Sequence, residues 1–238
     1  MERDVALRCI SSMATKTLLG ELARLLGERA GGAIDVESIG GVDAARRVRA
    51  GEALDLVVLS HTVMGALENE GHVARGSLVP LARSSTAFAV AAGAARPDLS
   101  SRDALQRALL EAPAIAYSTG PSGDHLIGLI ERWGLRASLE GKLVKAPPGV
   151  PVGGLVADGR ASLGFQQYSE LFEVPGIDVV TAVAPEATAT TVFTGAVAST
   201  SAEPDLAAQV LRDMGADALA PVYARCGMSL VRADSPGR

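Results

Sequence analysis

The chain has 238 residues, 48% of them hydrophobic but only 3% aromatic, and carries a formal net charge of −5. That length suits one large domain or two small lobes, with Ala, Val and Leu doing most of the packing. The acidic balance excludes any electrostatic case for nucleic acid as a partner, and no run of about 18 apolar residues exists to insert into a membrane.

The start reads Met1-Glu2-Arg3-Asp4 and runs at once into the apolar pattern Val5-Ala6-Leu7-Arg8-Cys9-Ile10. A secretory leader needs a basic start, an apolar run and a small-residue cleavage site. The pattern instead predicts a first strand over 4–10. As written, the chain is expected to be cytoplasmic, or periplasmic if a leader has been removed. Further strands are predicted over 34–39, 54–59, 87–92, 113–117, 162–166, 177–181 and 191–199. Between them run helical patterns. In 14–30, Ala14, Leu18, Leu19, Leu22, Leu25 and Leu26 recur at helical spacing. Helix 43–50 carries Arg46, Arg47 and Arg49, and 122–133 gathers Leu126, Leu129, Ile130 and Trp133 on one face. Helices near 101–111, 150–159 and 204–225 complete the set. This alternation predicts an α/β fold with parallel sheets covered by helices. Leu54-Asp55-Leu56-Val57-Val58-Leu59 has the near-continuous apolar character of a strand buried on both faces. The tail 234–238 reads as frayed. Cys9 and Cys226 admit two readings, inert buried thiols or a disulfide.

The chemistry-bearing residues cluster where strands end. Ser11-Ser12 leaves strand one and opens helix one. A serine there caps a helix, or the open N–H groups and the hydroxyl take an anion. Gly40-Gly41-Val42-Asp43 opens the arginine-bearing helix, without the glycine spacing of a dinucleotide fingerprint. Ser60-His61-Thr62 follows strand 54–59, at the carboxyl end where open α/β sheets bind ligands. His61 is therefore the stronger histidine candidate, and His72 sits in a loop; local hydrogen bonding is the competing reading for His61. Arg83-Ser84-Ser85 lies at a predicted crossover, where Arg83 can pair with a carboxylate or form a surface ion pair.

Ser118-Thr119-Gly120-Pro121-Ser122-Gly123-Asp124-His125 forms another strand-to-helix turn, with Pro121 suited to a first helical position. It approaches the G-x-S-x-G elbow of hydrolases, but Asp124 stands where the last glycine belongs. The stretch from Ala146 to Gly154 is a Pro/Gly-rich turn that enters a helix near Val152. Gln166 and Gln167 are read as following a buried strand, where an amide can donate to a carboxylate or oxyanion. His and Cys residues show no metal-ligand spacing, and no cofactor motif is present.

These loops, in this order, resemble the ModA family of molybdate-binding solute-binding proteins over nearly the whole chain. The resemblance is carried by strand 4–10 with Ser11-Ser12, the segment from Ala45 to Val58 and the carboxyl-terminal helices. It implies a type II periplasmic-binding-protein fold of two lobes, 1–83 with 192–238 and 84–191, hinged by two crossovers that close on a small anion. It also implies an ABC permease as partner if the chain is exported. Ile39-Gly40-Gly41-Val42-Asp43 replaces the family's serine-rich loop, and Gln166-Gln167 its tyrosine. Both changes point to a di- or tricarboxylate in place of molybdate. Aconitate isomerase also resembles ModA proteins, and isomerisation of an unsaturated acid is the alternative function. The expected ligand-binding set is Ser11, Ser12, Gly41, Ser60, Ser84, Thr119, Ser122, Gly123, Val152, Gln166 and Gln167. For chemistry, the candidates are His61, His125 and Arg83.

Overall fold

The computed structural model describes residues 6–27, 32–147, 149–181 and 183–232. In chain order the elements are β1 (Leu7–Ser12), α1 (Lys16–Gly27), β2 (Ile34–Ile39), α2 (Gly41–Arg49), β3 (Leu56–Ser60), α3 (His61–Asn69) and β4 (Val79–Ala91). There follow α4 (Arg102–Glu111), β5 (Ile115–Tyr117), α5 (Pro121–Arg132), α6 (Arg136–Leu139), β6 (Leu143–Lys145), α7 (Val152–Ala157), β7 (Leu163–Gln167), α8 (Tyr168–Leu171) and β8 (Ile177–Val180). The chain ends with β9 (Thr190–Val197), α9 (Pro204–Met214), α10 (Ala220–Arg225) and β10 (Ser229–Leu230). The elements alternate strand and helix, in the mixed α/β architecture that the sequence led one to expect.

The chain divides into two units. Unit one runs to Arg83 and resumes at Thr191, and unit two is Ser84–Thr190. In unit one β2, β1 and β3 lie side by side and parallel, and β9 joins β3 antiparallel. The first residues of β4 pair with β10. Side-chain alternation sorts β3 between two cores. Leu56 and Val58 join α1, α9 and α10 on one face, while Val57 and Leu59 join α2 and α3 on the other. This two-sided burial is why the strand reads as continuously apolar.

In unit two β6, β5 and β7 are parallel, and β4 lies antiparallel between β7 and β8. One face holds Phe88 and Phe165, with ring centroids 4.6 Å apart, under α4 and α5. On the other face Gly164 packs against α7 so closely that a Cβ would stand 2.7 Å from a Val156 methyl.

Several sequence expectations shift. Gln166 and Gln167 lie within β7, not after it, and both are buried. The strand expected over 87–92 begins earlier, as β4 at Val79, and so includes Arg83-Ser84-Ser85. The helix expected over 204–225 is two helices, because α9 ends at Gly215 and Pro221 restarts the chain in the first turn of α10. Helix α3 was not anticipated, although Val63, Met64 and Leu67 carry its apolar spacing. The short strands β6 and β10 were also missed. Residues 4–5 of the first strand, 28–30 of the first helix and the tail 234–238 lie outside the described residues. Cys9 and Cys226 are buried thiols, and burial, with Asp35 nearby, pushes Cys9 up to about 12, which leaves it unreactive. No helix among the described residues is long and apolar enough to cross a membrane.

Candidate functional site

At the carboxyl ends of β1, β2 and β3, unit one brings three helix starts together. Ser12 occupies the cap position before a short 3-10 turn, Met13–Thr15, yet its side chain caps nothing. Its Oγ is buried and has no hydrogen-bond partner. The capping reading of Ser12 is therefore corrected. Buried hydroxyls are nearly always satisfied, so a lone one at a helix start has the form of a donor waiting for an external acceptor. Ser11, one residue back, points to the neighbouring strand and shares a hydrogen bond of 2.7 Å with Ser38.

Gly41 opens α2 beside Ser12: a Cβ added there would meet the Ser12 Cβ at 3.8 Å. The cap residue Gly40 has no side chain to satisfy the N–H groups of this helix, which leaves them available to an anion. Ser60 caps α3 in position but makes no side-chain cap bond. His61, exposed as the first residue of α3, sets Nδ1 3.1 Å from Oγ1 of the fully buried Thr194 on β9. Thr194 was not foreseen. It reaches His61 because β9 runs antiparallel to β3, with Leu59 opposite Thr194. Arg83 is half-buried in β4 and makes no ion pair among the described residues.

Unit two arranges its polar groups differently. At the start of α5 the hydroxyls of Ser118 and Ser122 lie 2.9 Å apart, and Ser118 Oγ also accepts from the Gly120 N–H at 3.4 Å. Gly123 is required here by packing: a Cβ would fall 1.9 Å from the Ser118 carbonyl oxygen. Thr119 stands half-buried in the same turn. His125 lies a turn further into α5, where its Nε2 is 3.0 Å from the Glu186 carbonyl. A carbonyl only accepts, so Nε2 carries the proton. Burial holds this imidazole below its usual pKa.

Ser84 is buried in β4 and its Oγ accepts from the Ser169 N–H at 3.3 Å. The Ser169 hydroxyl is buried without a partner. Val152, a member of the expected ligand-binding set, donates its N–H to Gln166 Oε1 at 3.1 Å. Gln166 does donate to a carboxylate, but to this chain's own Glu170, at 2.7 Å. Burial pushes Glu170 up to about 7, against a smaller opposing pull from the Gln166 hydrogen bond. Sequence reading passed over Glu170, although its four-residue spacing from Gln166 was visible. Gln167 lies opposite Thr86 across β4.

The two units thus carry the strand-end donors of an α/β solute-binding protein of the type II periplasmic class. A family profile described as bacterial extracellular solute-binding protein matches residues 7–229. The chain belongs to this family. It is also similar to an aconitate isomerase from a Pseudomonas species, with 37% identity over 188 residues, 79% of this chain and 71% of that protein. In structure it resembles the periplasmic molybdate-binding protein of Azotobacter vinelandii, with a TM-score of 0.76, 18% identity and coverage of 95% of this chain and 100% of that one. It likewise resembles a periplasmic thiamin binding protein, with a TM-score of 0.77, 16% identity and coverage of 99% and 86%.

Proposed function

We propose that this chain binds a small polycarboxylate and shifts the double bond of an unsaturated one, with aconitate as the type substrate. The observation that carries the reading is its 37% identity to the Pseudomonas aconitate isomerase over 79% of the chain. The geometry of unit one supports it. A buried, unpartnered Ser12 hydroxyl beside the open start of α2 offers donors to a carboxylate. Arg83, with no carboxylate of its own among the described residues, can take a second carboxylate bidentately. Double-bond migration then needs a group that accepts and returns a proton, and donors that stabilise an enolate-like charge.

The test is direct. Purified protein is incubated with cis-aconitate in deuterated water, and the cis and trans acids are separated by chromatography. Conversion with deuterium in the product is the expected result. A protein that holds aconitate in calorimetry but leaves it unchanged belongs to a second reading, which the family description favours. In that reading the protein captures a carboxylate for an ABC permease, a role that requires export. Tight binding of molybdate with no response to a carboxylate panel would overturn both readings.

A further inference from the structure

Thr194 is a polar residue in an apolar layer. It sits fully buried on β9, opposite Leu59 of β3. Its neighbours on that face, Val57, Leu59 and Ala196, belong to the core under α2 and α3. A valine would fill the same space without burying a hydroxyl, which costs stability wherever it goes unbonded. The Thr194 hydroxyl meets Nδ1 of His61 at 3.1 Å, and that residue is exposed. A buried group of the core therefore holds a ring at the surface of unit one.

The same bond fixes the proton of the ring. A hydroxyl buried this deeply has to place its hydrogen on an acceptor, and Nδ1 is its hydrogen-bond partner. Thr194 donates, Nδ1 accepts, and the hydrogen of the neutral ring is left on Nε2. The opposite assignment, Nδ1–H toward Oγ1, would leave the threonine hydrogen buried without an acceptor. Among the described residues, Nε2 of His61 has no partner. The other histidines differ. His125 spends Nε2 on the Glu186 carbonyl, and Nε2 of His72 lies 3.9 Å from the Glu70 carboxylate.

His61 stands beside the unsatisfied donors of unit one. Strands β1 and β3 are parallel neighbours with Ser11 opposite Val58, so Ser12 is level with Leu59, two residues before His61. The Ser12 Oγ is buried and unpartnered, and the start of α2 lies next to it. We propose that His61 is a neutral Nε2–H donor to a carboxylate of the ligand, and that Thr194 is its positioning residue. The inference rests on the polycarboxylate reading above, and it applies whether the ligand is isomerised or only carried. Every group it uses belongs to unit one. With its tautomer fixed, the ring offers a donor and no acceptor at that point, so it selects a ligand oxygen over a ligand N–H or O–H.

Two measurements test it. The first is NMR of the imidazole nitrogens in labelled protein at about pH 8, where a free imidazole is neutral. The chain has three histidines, and the signal lost in His61→Ala identifies the ring. His61 should carry its proton on Nε2, and finding it on Nδ1 overturns the proposal. The second is calorimetry with cis- and trans-aconitate. His61→Ala should weaken binding roughly 10- to 100-fold, the worth of a hydrogen bond to a charged group. His61→Gln, whose amide nitrogen reaches the place of Nε2, should recover most of this, and His61→Asn, which copies the Nδ1 end, should not. Thr194→Val should weaken binding about three- to tenfold without lowering the melting temperature, because it frees the ring and keeps the core packed. If the wild type binds aconitate and a folded His61→Ala binds within about threefold of it, this inference falls and the polycarboxylate reading stands. If the wild type binds no member of a di- and tricarboxylate panel, both fall. Should Thr194→Val fail to fold, the position of the ring proton and the contrast between His61→Gln and His61→Asn decide alone.

Discussion

At the carboxyl ends of its parallel strands, unit one leaves the Ser12 hydroxyl buried and unpartnered, next to a helix that starts with Gly40 and Gly41. Unit two, built on a similar strand plan, joins most of its polar groups to each other, although the buried Ser169 hydroxyl has no partner. Ser118 bonds Ser122, Val152 bonds Gln166, Gln166 bonds Glu170, and His125 bonds the Glu186 carbonyl. An unsatisfied donor costs stability in the empty protein, and an incoming acceptor recovers it. A hydrogen-bonded pair such as Ser118 and Ser122 leaves no donor unsatisfied when empty, and a ligand must compete with it. The same residue type therefore has different consequences: truncating the unpartnered Ser12 should act on binding, and truncating Ser122, which is bonded to Ser118, on folding.

The largest expected effect is steric. Gly123→Ala in unit two would drive a Cβ to 1.9 Å from a main-chain oxygen that cannot move aside as a side chain could. A loss of about 3 kcal/mol in urea unfolding is expected, at the upper end of overpacking costs. A loss under about 1 kcal/mol would show that the turn 118–122 yields freely.

Next comes the pH dependence of unit two. Glu170 binds its proton more tightly folded, at about 7, than its ordinary value of 4.5. That contribution is complete below about pH 4.5 and is lost as pH rises through about 7. Its full size is on the order of 3 kcal/mol. Thermal melts of the wild type and Glu170→Gln across this range should converge at low pH. They should separate toward neutral pH, with the glutamine variant the more stable. Parallel curves would place the Glu170 carboxyl at an ordinary value.

Ser12→Ala tests unit one. Removing a hydroxyl with no partner should leave the melting temperature unchanged or slightly raised, while polycarboxylate affinity in calorimetry falls by about 1.5–3 kcal/mol. A stability loss without a binding loss would mean that Ser12 is satisfied in solution and would end the contrast between the units. The smallest effect is expected from Ser122→Ala. Losing its bond to Ser118 should cost about 0.5–1.5 kcal/mol of stability, with less change in affinity than Ser12→Ala brings.

The sequence by itself determined the α/β class, because strand and helix periodicities differ and each buries its own apolar set. Leu56, Val57, Val58 and Leu59 announce a two-sided strand, and Leu18, Leu19, Leu22 and Leu26 announce a helix face. It also marked where strands hand over to helices, since Gly, Ser and Pro gather at those points. Only the tertiary structure decided which of those polar groups remained unpartnered. Ser11 and Ser12 are adjacent in the chain, but β1 turns Ser11 toward Ser38 of β2 and leaves Ser12 without a partner. Gln166 looked like a ligand donor until the packing of α7 and α8 on β7 brought Val152 and Glu170 to its two ends. His61 met Thr194 across 133 residues of chain. Periodicity reports burial, which each residue carries in its own chemistry. Partnership depends on strand register and on long-range approach, and no local stretch of sequence contains those.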